Sequence, residues 1–133
     1  MSSTPRFTPI LNAIPNDQPI VCLSAKPAFD KLTEREQLYA HYLSRASFYG
    51  GLIVLLQTSF EAPSIFRFIH RLNLAQPIEE LRDVCVGKDG ITETDFKAFM
   101  VYCSGIYANM GNYKGFGDTK IVPDLQPAIL EVV

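Results

Sequence analysis

A chain of 133 residues that is 47% hydrophobic and 20% charged is long and apolar enough to bury one core, which excludes wholesale disorder. Its net charge of -2 at pH 7 gives no electrostatic reason to expect nucleic acid or an anionic membrane as partner. The longest apolar run, Gly50-Gly-Leu-Ile-Val-Leu-Leu56, is far short of the roughly 20 residues that cross a bilayer.

The first ten residues lack the apolar core of a signal peptide. Residues 1–20 carry four prolines (Pro5, Pro9, Pro15 and Pro19) and little periodicity, which predicts an extended or mobile lead-in. Residues 21–133 then read as a helical unit. Ile20-Val-Cys-Leu23 is a candidate edge strand, and Pro27-Ala-Phe-Asp-Lys-Leu32 is a short helix with proline in its first turn. Thr33-Glu-Arg-Glu36 is a capping box, opening a helix whose apolar stripe is Leu38, Tyr39, Tyr42, Leu43, Ala46, Tyr49, Ile53 and Leu56. Gly50-Gly51 interrupts that stripe, either to let another helix approach or to kink this one.

A second helix is predicted over 63–72 with Ile65, Phe66, Ile69 and Leu72 on one face, and a third from Gln76, ended by Gly87. Thr92-Glu-Thr-Asp95 resembles a capping box whose reciprocal arm is weakened by the shorter Asp. The helix it opens has the most regular stripe of the chain: Phe96, Phe99, Met100, Cys103 and Tyr107. Ile121-Val122 is a second candidate strand, and Pro127 begins a helix inside which the sequence stops. An uncapped apolar end of that kind predicts a piece of a longer protein, either a true fragment or a truncated gene product. The fold class expected is mainly α: several packed helices with one or two short strands.

Several chemistries fail on spacing. Were Gly90 the sixth residue of a calcium loop, its first, third and twelfth positions would fall on Cys85, Gly87 and Phe96, which offer no suitable oxygen. His41 and His70 stand on different helices, and no Cys-x-x-Cys or His-Glu-x-x-His occurs, so no metal site is expected within this chain. No local motif frames a nucleophile, so no catalytic residue is assigned. Cys22, Cys85 and Cys103 are odd in number, widely spaced and set among apolar neighbours, which predicts buried free thiols and a reducing, cytoplasmic location.

The stretch Tyr107-Ala-Asn-Met-Gly-Asn-Tyr-Lys-Gly-Phe-Gly-Asp-Thr-Lys120 combines glycines, aromatics and lysines after a helix. It matches neither phosphate-binding fingerprint. Two readings remain: a turn docking Tyr113 and Phe116 on the core, or a wall of backbone and rings that contacts an extended ligand.

This stretch, with Leu38-Tyr-Ala-His-Tyr-Leu-Ser-Arg-Ala-Ser-Phe-Tyr-Gly-Gly-Leu52, Leu55-Leu-Gln-Thr58, Glu61-Ala-Pro63 and Val122-Pro-Asp-Leu125, resembles the dipeptidyl peptidase III family of zinc metallopeptidases. The resemblance covers residues 22 to 133 in order. It implies two lobes around a cleft, removal of N-terminal dipeptides from short peptides, and zinc held by a His-Glu-x-x-x-His motif that this chain lacks. On that reading the chain is the start of the non-zinc lower lobe, binds no cofactor itself, and packs against the remainder of the enzyme. The resemblance matches Phe116 to a family phenylalanine that lines the peptide cleft; Gly115 stands where one family member has serine. Tyr113 and Asn112 are candidate substrate contacts by adjacency. The alternative is a non-catalytic helical interaction module.

Overall fold

Thr33 starts the longest element. Its hydroxyl accepts from the Glu36 backbone N–H at 3.4 Å, while its own N–H donates to Glu36 Oε2 at 2.8 Å. Both arms of the capping box therefore satisfy donors that the first helical turn would leave open. The computed structural model describes residues 12–19, 21, 23–87, 90–115 and 119–130. Among them the helices are α1 Lys26–Phe29, α2 Glu34–Thr58, α3 Ala62–Ala75, α4 Ile78–Cys85, α5 Glu93–Asn109 and α6 Pro127–Leu130. The chain is mainly helical, as expected.

α5 is the centre. Phe96, Ala98, Phe99, Cys103 and Ile106 are buried along it, and Ile69 of α3, Leu81 and Cys85 of α4, Ile91 and Leu125 complete the core around them. Its cap is stronger than the sequence suggests. Asp95 Oδ2 accepts from the Thr92 N–H at 2.9 Å, so the shorter carboxylate still closes the reciprocal arm. Phe66 of α3 meets Tyr107 of α5 edge-on, with ring centroids 5.3 Å apart. α4 ends at Cys85, and Gly87 follows with φ +88°, a conformation that favours glycine.

Two expectations need correction. The α2 stripe is not buried: Leu38, Tyr39, Tyr42, Leu43, Tyr49, Ile53 and Leu56 are all exposed, and only Gly51 and Leu55 are buried on that helix. Among the described residues α2 packs on α3 and, through Gly51, on Met110 at the end of α5, while near its start Gln37 donates to the Phe29 and Leu32 carbonyls. Helical spacing encodes a surface fit for burial without supplying what covers it. The strands are also absent among the described residues. Single bridges stand instead, Ala13 with Val122 in parallel and Tyr113 with Lys120 in antiparallel sense. Ile14 N–H donates to Val122 O at 3.0 Å, but Pro15 and Pro123 follow the paired residues and lack the donors that would extend a ladder. Of Ile20–Leu23, Ile20 and Cys22 lie outside the described residues, and Val21 and Leu23 are exposed without pairing.

α2 runs through Gly50-Gly51 unbroken. A Cβ on Gly51 would sit 2.5 Å from Met110 Cε, while one on Gly50 would meet nothing within 4 Å. The close approach is real, but it comes from the residue capping α5 and concerns one glycine of the two.

Candidate functional site

The candidate loop begins where α5 stops. Met110 adopts a left-handed conformation (φ 48°, ψ 46°), and the Gly111 N–H donates to Ile106 O at 3.1 Å, which closes the helix end. Gly111 has φ +153°, and a Cβ there would lie 2.8 Å from Thr58 Cγ2. The chain therefore leaves α5 pressed against the C-terminal turn of α2.

Asn112 comes next and is completely buried. Its Oδ1 accepts from Ser59 Oγ at 2.7 Å, and its Nδ2 donates to Glu61 Oε2 at 3.0 Å. Its backbone carbonyl accepts from the Ile121 N–H at 2.8 Å. Ser59 Oγ in turn accepts from the Ala62 N–H at 3.0 Å, at the start of α3. Tyr113, half-buried, bridges to Lys120, and the Lys114 N–H donates to Thr119 O at 3.0 Å. Asn109 Oδ1 accepts from the Gly115 N–H at 3.0 Å, and Asn109 Nδ2 holds Gly105 O at 2.9 Å.

Lys120 Nζ returns to the same carboxylate, at 2.5 Å from Glu61 Oε2. One oxygen thus receives both ends of the loop, residue 112 through an amide and residue 120 through an ammonium. The Lys120 hydrogen bond and charge hold the Glu61 carboxyl below its ordinary range, and Glu61 raises the Lys120 ammonium reciprocally.

Of the sequence-derived candidates, Asn112 and Tyr113 are adjacent in this loop, and both polar atoms of the Asn112 side chain are committed to protein partners. Phe116 lies outside the described residues. Ser59, Glu61, Asn109 and Lys120 were not singled out by sequence reasoning. Glu61, Asn109 and Lys120 occur only within the quoted family-like stretches.

Beside the loop, residues 14–19 and α5 enclose a cleft of ≈ 770 Å³, lined by Ile14, Asn16, Met100, Val101, Gly105 and Lys114 among others. Gly105 makes room for the wall opposite, since a Cβ there would lie 2.6 Å from Ile14 Cδ1. The described residues hold no group of three or more His, Cys, Asp or Glu that could take a metal ion. His41 is exposed beside Tyr42, and His70 is stacked on Phe66 at 6.0 Å. Cys85 and Cys103 are buried free thiols; burial pushes Cys103 up to about 12, which leaves it protonated and a poor nucleophile. Cys22 lies outside the described residues. No described helix is long and apolar enough to cross a membrane.

No family model matches the chain. Individual relatives do. Dipeptidyl peptidase 3 of Rattus norvegicus is 52% identical over 120 residues, covering 90% of this chain and 16% of its own length. The Homo sapiens protein of the same name is 51% identical over 120 residues, again 90% of this chain and 16% of the relative. That of Nematostella vectensis is 46% identical over 114 residues, 84% of this chain and 16% of the relative. The chain belongs to the dipeptidyl peptidase 3 family. It spans 16% of the length of these relatives, which are peptidases by name. The Asn112 loop and the α2 face are therefore features of one part of a dipeptidyl peptidase 3 sequence.

Proposed function

We propose that this chain is the N-terminal substrate-lobe segment of a zinc metallopeptidase that releases N-terminal dipeptides from short peptides. It supplies a wall of the peptide cleft and no catalytic residue. The observation that carries this reading is 52% identity across 90% of the chain to a protein named dipeptidyl peptidase 3. The loop supports it: Tyr113 and Lys114 stand on a base tied to α2, α3 and α5, as a wall that must keep its shape around an extended ligand requires. Phe116, between Lys114 and Thr119 in sequence, is the proposed ring contact, and Asn112 acts beneath the surface as the loop's support.

The donors present do not fit a zinc ion, because the described residues bring no three ligating side chains together. Zinc and the groups that activate water on it belong to the rest of the enzyme, in the cytoplasm. The lead-in over 1–20 precedes the lobe segment over 21–133. The exposed α2 face is where the remainder packs.

A chimera tests this reading. The matching segment of the rat enzyme is replaced by this chain, and release of dipeptide from arginyl-arginyl naphthylamide is followed. Activity within about tenfold of the parent is expected, with none from the 133-residue chain alone. A soluble, zinc-loaded chimera without activity, or a chelator-sensitive activity in the isolated chain, would sink it.

The exposed apolar face of α2 also favours a second reading, a non-catalytic helical interaction module. A stable monomer in solution, with the stop after Val133 present in the messenger, would favour the module over the enzyme segment.

A further inference from the structure

We infer that Glu61 is a positioning residue: by holding residues 112 and 120 on one carboxylate oxygen, it fixes the pose in which Tyr113 and Lys114 meet an extended peptide. This rests on the reading of the loop as a peptide-contacting wall.

The loop's own bonds are few. Ile121 N–H to Asn112 O, the Tyr113–Lys120 bridge and Lys114 N–H to Thr119 O pair the two sides of a narrow loop base. A pairing this short is not stable in water by itself. Its sequence continues through Gly115 and Gly117, which add no conformational preference of their own. Orientation must come from outside this base, and two side-chain ties supply it at opposite sides. Asn112 Nδ2 and Lys120 Nζ converge on Glu61 Oε2.

Glu61 is a fixed anchor because its backbone begins α3. Its carbonyl accepts from the Ser64 and Ile65 N–H groups at 3.0 and 3.1 Å. The carboxylate therefore links the first turn of a core helix to both sides of the loop base. Its side chain and that of Lys120 are about half exposed, at 52% and 45%. Neither belongs to the core around α5. A pair this exposed adds little to global stability, so its main effect is on the geometry of the loop.

The test separates geometry from fold. In the full chain, Glu61→Ala should speed hydrogen exchange at the Lys114 and Ile121 amides more than tenfold, with the Cys103 and Ile106 amides of α5 unchanged within twofold. Glu61→Gln, which keeps an acceptor for Asn112 but loses the charge facing Lys120, should fall between. In the rat chimera, Glu61→Ala should raise KM for arginyl-arginyl naphthylamide at least threefold with kcat kept within twofold. Unchanged exchange at Lys114 and Ile121 would overturn the inference, and so would faster exchange with unchanged KM. A Tyr113→Ala chimera with unchanged KM would instead sink the wall reading, whereas the exchange result measures the clamp without any peptide.

Discussion

Asn112 donates to Glu61 Oε2 at 3.0 Å across 51 positions of sequence, and its other amide atom takes the Ser59 hydroxyl at 2.7 Å. A buried amide with both ends paired joins the α2–α3 turn to the loop after α5. Asn112→Ala removes both bonds and leaves Ser59 facing a void. Loss of about 1–3 kcal/mol is expected, read as a fall in Tm of roughly 3–10 °C. Asn112→Asp should be worse, because it buries a second carboxylate against Glu61. Thermal unfolding of the three proteins checks the order, and an Asn112→Ala variant as stable as the parent would contradict the network.

Gly50 and Gly51 should respond differently to alanine. A Cβ at Gly50 meets nothing within 4 Å, so Gly50→Ala gains helix propensity, about 0.5–1 kcal/mol. At Gly51 the new methyl meets Met110 Cε at 2.5 Å, and the methionine must move. The gain there is offset, and Gly51→Ala should come out neutral or destabilising. Chemical denaturation separates them; equal effects at both positions would remove the Met110 contact as the reason for Gly51.

How much of this is legible in the sequence depends on range. The capping boxes at Thr33 and Thr92 and the α3 and α5 stripes are local, and the observed helices follow them. The α2 stripe also follows helical spacing, yet its residues are exposed, since a period tells which face is apolar and nothing of what lies opposite. The Ser59–Asn112–Glu61–Lys120 network joins residues with no periodic relation, and no local pattern announces it. Only adjacency points to Tyr113 and Asn112, and no neighbouring residue signals the burial of Asn112.

The Glu61–Lys120 pair gives a pH dependence with a defined sign. Glu61 is depressed below its ordinary 4.5, mainly by the Lys120 hydrogen bond. Its stabilising contribution is therefore present above the unfolded carboxylate range and lost as pH falls through the depressed folded value. Lys120 is raised above 10.5, mainly by its hydrogen bond to Glu61, so its contribution holds below 10.5 and is lost as pH rises through the higher folded value. The Tm difference between parent and Glu61→Gln should stay constant from pH 6 to 9, about the range between those limits, and shrink below about pH 4. A difference that grows on acidification would have the opposite sign and exclude the pair as its cause.

Cys103 should be unreactive while the chain is folded. Burial raises its thiol to about 12, leaving little thiolate near neutrality, and Cys85 is also buried. In a Cys22→Ser variant at pH 8, iodoacetamide should label neither remaining thiol until denaturant is added. The rate should then rise by at least 100-fold, which mass spectrometry can follow. Rapid labelling of Cys103 in the native chain would mean that the α5 core opens readily.

Phe48 is 78% exposed on α2, whereas Leu55, about two turns further along, is 3% exposed. Within this chain, Phe48→Lys removes almost no buried area, so stability should change by less than about 0.5 kcal/mol. Leu55→Ala opens a cavity and should cost about 2–4 kcal/mol. If the α2 face packs against the remainder of the enzyme, that order reverses in its consequences for assembly. In the rat chimera, Phe48→Lys would bury a charge without a partner and should lower the yield of active enzyme, although the isolated chain tolerates it. Full activity and an unchanged Tm in the Phe48→Lys chimera would mean that this part of α2 stays exposed in the whole enzyme.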